Sequence, residues 1–193
     1  GSSCIFEVDL ASQTVTGNTI CPNTGTSERG LAYDPATNTF YTGSWNDLTI
    51  FHFDTDGNVL DSAFVNLPVS GLAYNANNGH LLVMQNFQGG NDIVVLDALN
   101  NYAELGQYPI LDGGSPAITA FGGAGLEFDC LGQMWVIDQN TQTIYKVESG
   151  ESAGCAVDIP WFEANPTSGS VTSNGGTSDV NGHFDGTGLL PGL

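Results

Sequence analysis

The chain has 193 residues, which is enough for one sizeable core. It contains 21 Asp and Glu and only two basic residues, which gives a formal net charge of -19. Because phosphate binding depends on Lys and Arg, this charge argues against nucleic acid and anionic membranes as partners. No apolar stretch approaches the roughly 20 residues that a membrane-spanning helix needs, so no membrane insertion is predicted.

Residues 4–21 predict two strands joined by a short turn. Placing Asp9 opposite Thr16 in an antiparallel hairpin also places Cys4 opposite Cys21. Directly opposed residues have Cβ atoms close enough for a disulfide, so the sequence predicts a bridge between Cys4 and Cys21.

A short motif then returns three times, each time opening with Gly-Leu and closing with an aromatic residue and Asp or Asn: residues 30–34, 71–75 and 125–129. Each copy precedes a polar turn, a second apolar run and a third run that ends in an acidic residue. A unit of about 40–50 residues with three or four short strands is typical of a β-propeller blade. With residues 4–21 as the outer half of another blade, the sequence predicts an all-β fold of about three and a half four-stranded blades.

The third blade predicts a second disulfide. Cys130 follows its first strand and Cys155 follows its third, so antiparallel order puts both at one end of the sheet. The alternative is four buried free thiols, and the absence of a CxxC pair argues against zinc. Two disulfides predict a secreted or cell-surface protein.

The run of residues from 30 to 54, with its GLAYD, TFY and LTIFHFD segments, resembles secreted bacterial β-propellers of the NHL and YVTN type. We assign residues 1–157 to these blades. Residues 158–193 contain PW, PTSG, GG and TGL elements and resemble the opening of an immunoglobulin-like bacterial sandwich. The resemblance implies an incomplete immunoglobulin-like tail in which Trp161 is a core residue.

The predicted sheets are open at both ends, because a propeller needs ~4–8 blades to close. Three explanations remain open: a fragment of a longer protein, completion by neighbouring copies of the chain, or a wrong blade count. Residues 156–162 are a candidate for the missing fourth strand of the third blade.

Catalytic groups are scarce. His52, His80 and His183 fall at positions that do not correspond between blades. There is no phosphate-binding glycine loop. The sequence therefore predicts that the chain is not an enzyme, with no catalytic residue.

One loop resembles the start of a calcium site. Asp54, Asp56 and Asn58 present oxygens at alternate positions, but the twelfth position of such a loop would be Val65 instead of Glu. The alternative is an ordinary hairpin turn. Calcium is thus the one candidate cofactor.

The loops on one rim carry the candidate ligand site, in which aromatic rings lie beside amides and carboxylates that could stack on and hydrogen-bond a sugar or peptide. Its predicted residues are Trp45, Asn46, Asp47, Phe87, Asn91, Asp92, Phe121, Asp138 and Gln139. The alternative is that the rings pack under their own loops.

Taken together, these features predict a non-catalytic extracellular module for binding or adhesion, with a glycan or protein ligand. Two alternatives stay open. One is a structural subunit that assembles with neighbouring copies through its open sheet edges. The other is a non-catalytic segment of a larger secreted enzyme.

Overall fold

The computed structural model describes residues 4–87, 90–129 and 132–151, and every regular element within them is a β-strand. The strands are β1 (Ile5–Asp9), β2 (Thr14–Ile20), β3 (Glu28–Asp34), β4 (Thr39–Ser44), β5 (Thr49–Phe53), β6 (Val59–Phe64), β7 (Val69–Asn75), β8 (His80–Gln85), β9 (Ile93–Asp97), β10 (Ala103–Tyr108), β11 (Leu111–Asp112), β12 (Ser115–Pro116), β13 (Gly123–Phe128), β14 (Gln133–Asp138) and β15 (Thr143–Glu148).

These strands form antiparallel meanders in chain order. Blade I is the sheet β3-β4-β5-β6, blade II is β7-β8-β9-β10, and blade III is β13-β14-β15. The N-terminal hairpin is the separate pair β1-β2, and β11-β12 is a short hairpin between blades II and III that the sequence pattern did not indicate. The predicted all-β fold with four-stranded blades is confirmed.

The motif glycines explain how the blades pack. A Cβ atom on Gly30 would lie 2.9 Å from the backbone of Gly71, and one on Gly71 would lie 2.8 Å from the backbone carbon of Gly125. Real Cβ atoms essentially never approach so closely. The first strands of successive blades therefore approach at a distance that only glycine permits.

The last residue of each motif shapes the turn that follows. Carboxylate and amide oxygens of Asp34 and Asn75 accept the backbone N–H two residues further on, at 2.9 and 3.1 Å. Asp129 accepts the backbone N–H of Gln133 at 3.0 Å. Such side-chain hydrogen bonds to local backbone favour turns. The motif therefore specifies both the first strand of a blade and the turn that follows it.

The core consists of two clusters, one at each blade junction. Between blades I and II lie Ala32, Tyr41, Ile50, Val69, Leu72, Leu81, Val83, Val94, Leu96 and Tyr102. Between blades II and III lie Ala73, Leu82, Met84, Ile93, Val95, Ile110, Ala117, Ile118, Leu126, Met134 and Val136. Blade II contributes one face to each cluster, as alternation along its strands requires.

The predicted bridge between Cys4 and Cys21 is formed. The predicted register holds at the disulfide end of the N-terminal hairpin. It does not hold near the turn, where Asp9 pairs with Thr14 instead of Thr16. The cause is a register shift in the middle of β1, which displaces the pairs nearer the turn.

The features expected of the C-terminal region remain predictions. Cys130, Cys155, the candidate strand 156–162 and the assigned tail 158–193 all lie outside the described residues, as does the boundary at residue 157. Within the described part of the chain, no helix is long and apolar enough to cross a membrane.

Candidate functional site

The rim loops that the sequence singled out meet on one side of the blades. They connect the second and third strand of each blade, and their described residues are 45–48, 86–87, 90–92 and 139–142. Residues 109–122, which join blade II to blade III, lie against them. We call the connected group of Trp45, Asn86, Phe87, Phe121 and Gln139 the aromatic rim.

Trp45 begins the aromatic rim and joins blade I to blade II. Its indole N–H donates to the backbone carbonyl of Asn86 at 3.1 Å, and the guanidinium carbon of Arg29 lies 5.8 Å from its ring centroid. Asn86 is buried, and its side-chain amide N–H donates a hydrogen bond to the backbone carbonyl of Gly123 at 2.9 Å. The rim is therefore tied to all three blades, while the Trp45 side chain stays 37% exposed.

Phe121 is presented on a constrained backbone. Its φ of 57° is in the left-handed region, which a bulky residue rarely adopts. The backbone N–H of Phe121 donates to the carbonyl of Phe87 at 3.2 Å, and its carbonyl accepts the Gln139 side-chain amide at 3.0 Å. Both Phe rings are exposed. Such strained residues persist where surrounding contacts determine them, and they cluster at functional sites.

Three of the predicted polar residues, Asn46, Asp47 and Asn91, lie in the loops that carry Trp45 and Phe87, and they differ in exposure and in hydrogen bonding. Asn46 and Asp47 are exposed, and the Asp47 carboxylate accepts hydrogen bonds from Thr26 and from Ser44, the latter at 3.0 Å. Asn91 is half-buried and its backbone carbonyl accepts the Gln85 amide at 3.2 Å. Asp47 thus shapes its own loop, whereas Asn46 faces solvent.

The two remaining carboxylates lie below the rim. Asp138 is buried, where desolvation would raise its pKa. Its oxygens accept the Thr119 N–H at 2.6 Å and two amides of the following turn at 2.8 and 3.0 Å, and these bonds lower the pKa overall. Asp92 accepts the Ile110 N–H at 2.7 Å, while burial and the nearby Asp138 charge raise its pKa. Both carboxylates anchor residues 109–122 instead of projecting from the rim.

The candidate calcium loop is a hairpin turn organised by Asp54. One carboxylate oxygen accepts the backbone amides of Asp56 and Asn58 at 2.9 Å each, and the other accepts the Asn58 side chain at 2.9 Å. These hydrogen bonds lower the pKa of Asp54. Within the described residues no group of three or more His, Cys, Asp or Glu is placed to hold a metal. Calcium binding here remains an untested prediction.

Side-chain groups that the sequence did not connect meet between blades I and II. The His52 ring stacks on Tyr41 at 4.4 Å, and its nitrogens lie 2.8 Å from the Thr39 hydroxyl and 3.2 Å from the Asp61 carboxylate. Tyr102 of blade II donates to Asp61 at 2.6 Å. His52 is therefore part of the junction between two blades, while His183 lies outside the described residues.

Sequence reasoning missed two residues of the rim region, Arg29 and Asn86. Arg29 is one of only two basic residues in the chain, which could have marked it. Asn86 gave no such signal, because its role depends on contacts with a loop 41 positions earlier and a strand 37 positions later.

Comparison with known proteins gives a fold and no family. No family model and no curated protein matches the chain. A solved structure of luciferin-regenerating enzyme matches at 15% identity over 75% of this chain and 51% of that one, with a TM-score of 0.50. A nidogen/laminin complex matches at 19% identity over 66% and 46%, with a TM-score of 0.45. The chain thus spans about half the length of these two solved structures. Its likeness to luciferin-regenerating enzyme shows a β-propeller-like fold.

The expectation that the chain is not an enzyme is corrected by this comparison. A structure that shares the fold is that of an enzyme, so scarcity of recognisable catalytic motifs was not sufficient ground to exclude catalysis. At 15% identity the likeness concerns the fold alone and assigns no reaction to this chain.

Proposed function

We propose that the chain is an extracellular recognition module and that its aromatic rim binds a protein partner. The observation that carries this proposal is the presentation of Phe121. Its exposed ring stands on left-handed backbone that is bonded to the loops of blades II and III. A loop held in this way loses little conformational entropy on binding, which favours affinity.

The chemistry around Trp45 favours a protein as the ligand. Binding hot spots in protein interfaces are enriched in Trp, Tyr and Arg. Arg29 lies over the Trp45 ring. In the described part of the chain, the side chains found within ion-pair distance of a carboxylate are those of His52 and His80, and Arg29 is not among them. Its guanidinium is therefore available to a carboxylate of a partner.

Secretion is part of this proposal. The bridge between Cys4 and Cys21 joins residues whose hairpin is largely exposed, and disulfides persist in oxidising compartments. In such a compartment the blades would form a rigid scaffold, and loops on rigid scaffolds often carry binding residues.

Two exposed tryptophans allow a matched test. Trp45 and Trp135 are 37% and 41% exposed, and both have a cation over the ring, Arg29 at 5.8 Å and Lys146 at 5.3 Å. Peptides selected from a displayed random library against the folded chain should bind Trp135→Ala normally. They should bind Trp45→Ala and Phe121→Ala at least about 10-fold more weakly, as expected for loss of a hot-spot residue.

A glycan array measured in parallel separates the ligand classes. No binding to the glycan array, together with peptide binding that depends on the aromatic rim, supports a protein partner. Glycan binding that is lost in Trp45→Ala would replace the protein by a sugar. Peptide binding indifferent to both rim substitutions would overturn the proposed site.

Self-association is a second candidate function, favoured by the outer face of blade III. Trp135, Ile137 and Ile144 are exposed there, whereas Leu82 and Met84, which occupy the corresponding face of blade II, are fully buried against blade III. Exposed apolar patches mark interfaces. Light scattering at micromolar concentration should detect assembly that Trp135→Ala reduces and Trp45→Ala leaves unchanged; a monomer at all concentrations excludes it.

A further inference from the structure

The connection between blades II and III is longer than the step from one blade to the next requires. Residues 65–68 join blade I to blade II, whereas residues 109–122 join blade II to blade III. We call residues 109–122 the insertion. It follows Tyr108, which pairs with Ile93 directly after a rim loop, so the insertion begins on the side of the aromatic rim. Ordering its additional residues costs conformational entropy that closure of the blades does not demand.

Two carboxylates hold the ends of the insertion. Near its start, the backbone N–H of Ile110 donates to the Asp92 carboxylate at 2.7 Å. Near its end, the backbone N–H of Thr119 donates to the Asp138 carboxylate at 2.6 Å. Ile110 and Ile118 are buried in the core cluster between blades II and III. Both ends of the insertion are therefore fixed to the fold.

Between these ends stands an exposed β-hairpin, residues 111–116, which we call the insertion hairpin. It consists of β11, a turn and β12, and all of its residues are exposed. Gly113 and Gly114 in the turn have φ values of 57° and 87°, as a two-residue hairpin turn requires, and a Cβ on either would meet nothing within 4 Å. The backbone N–H of Ala117 closes the base on the carbonyl of Ile110 at 2.8 Å. The insertion hairpin thus projects from a fixed base.

Asp112 is the charged residue of the insertion hairpin. Among the residues that the structure describes, its carboxylate has no hydrogen-bond or ion-pair partner. The chain's two basic residues, Arg29 and Lys146, each lie over a tryptophan ring instead. Leu111, next to Asp112, is 53% exposed. A free carboxylate beside an exposed apolar side chain suits a Lys or Arg, whose methylene stem can pack on the leucine.

We propose that the insertion hairpin is a second contact element for the protein partner of the aromatic rim and that it binds a basic segment of that partner, an inference that rests on the proposed function of the rim. Arg29 on blade I and Asp112 after blade II give the binding surface opposite charges at two places. The partner presents a carboxylate to Arg29 and a Lys or Arg to Asp112. Such complementary charges fix the direction in which a partner lies across a surface.

Peptides selected from a displayed random library against the full chain are the probe, and fluorescence anisotropy of the labelled peptides measures their affinity. Asp112→Lys should weaken binding at least about 10-fold, because it places a like charge opposite the basic residue of the peptide. Asp56→Lys is the matched control. Asp56 is exposed in the turn between β5 and β6, on the side of the blades away from the aromatic rim, and the substitution changes the net charge equally. It should alter the affinity by less than about twofold.

A charge exchange tests direct contact. In each selected peptide, every Lys and Arg is replaced by Glu, one position at a time. One of the resulting peptides should bind Asp112→Lys at least about 10-fold more tightly than it binds the parent chain, since the exchange restores an opposite pair. Structural damage to the insertion hairpin would not be rescued in this way.

Several results would overturn the role of the insertion hairpin. Equal weakening by Asp112→Lys and Asp56→Lys would assign the effect to net charge. Weakening that no exchanged peptide rescues would assign it to a disturbed hairpin. Full binding to Asp112→Lys, together with weak binding to Trp45→Ala and Phe121→Ala, would remove the insertion hairpin and keep the aromatic rim. The reverse pattern would remove the rim and keep the hairpin as the binding element, so the two proposals fail separately.

Discussion

Blade II and the N-terminal hairpin are both antiparallel ladders, yet their environments are opposite. In blade II, β7, β8 and β9 are buried at nearly every position, because blades I and III cover both faces. In the hairpin, β1 and β2 are exposed at nearly every position. Burial of a strand here depends on its neighbours, so we expect stability to concentrate in blade II and the hairpin to depend on its disulfide.

The largest effect should come from the middle of the fold. Leu82→Ala removes a fully buried side chain between blades II and III, and such truncations cost about 2–5 kcal/mol of unfolding free energy. Leu10→Ala, at the exposed end of the hairpin, should stay within about 0.5 kcal/mol. Urea denaturation of both variants measures the comparison, and similar losses would show that the core is not centred on blade II.

The disulfide should act locally. For a 17-residue separation, loop closure predicts about 3 kcal/mol of stabilisation. Because the hairpin is largely exposed, replacing Cys4 and Cys21 by Ser should open the hairpin and leave blade II folded. Hydrogen exchange should show loss of protection in β1 and β2 alone. An equal loss in β8 and β9 would mean that the hairpin supports the whole fold.

The motif glycines at the junctions between blades should not tolerate an added methyl group. Gly71→Ala places Cβ 2.8 Å from the backbone of Gly125, and overpacking of this kind costs about 1–3 kcal/mol. Gly106→Ala is the control, because Gly106 lies in the same blade and its Cβ would meet nothing within 4 Å. Thermal unfolding should separate the two, and a neutral Gly71→Ala would refute the close approach of the inner strands.

The smallest effect concerns acid pH. The Glu151 carboxylate accepts hydrogen bonds from Asn75 and Asn78 at 2.9 and 2.7 Å and lies 2.9 Å from the His80 ring. Burial by itself would raise the pKa of Glu151, but these partners outweigh burial and hold the pKa below 4.5. The ionised group therefore stabilises the fold above pH 4.5, and this contribution is lost as pH falls through the lowered pKa.

Glu151→Gln tests this dependence. The variant should be less stable at neutral pH by under about 1 kcal/mol, since partly exposed interactions are weak. The difference from the parent should disappear near pH 3. The control is Glu148→Gln, at an exposed position close by in the chain. A deficit that persists at pH 3 would assign the role of Glu151 to packing instead of charge.

The candidate site was only partly predictable. Trp45, Phe87 and Phe121 were identified because aromatic residues stood in loops beside amides, and the structure brings their loops together. The left-handed backbone of Phe121 was not predictable, since it follows from contacts with other loops. Asp92 and Asp138 were assigned to ligand binding, yet they bond the backbone of residues 109–122, which lie far from them in sequence.

The sequence by itself determined the repeat, the order of strands within each blade and the pairing of Cys4 with Cys21. These depend on short-range information: alternation along strands, turn formers after each motif and the geometry of one hairpin. Only the tertiary structure decided why Gly30 and Gly71 recur, which faces are buried, and that the N-terminal hairpin borders an open cleft. The reason is that contact between blades joins residues far apart in the chain, and no local pattern encodes which neighbour is present.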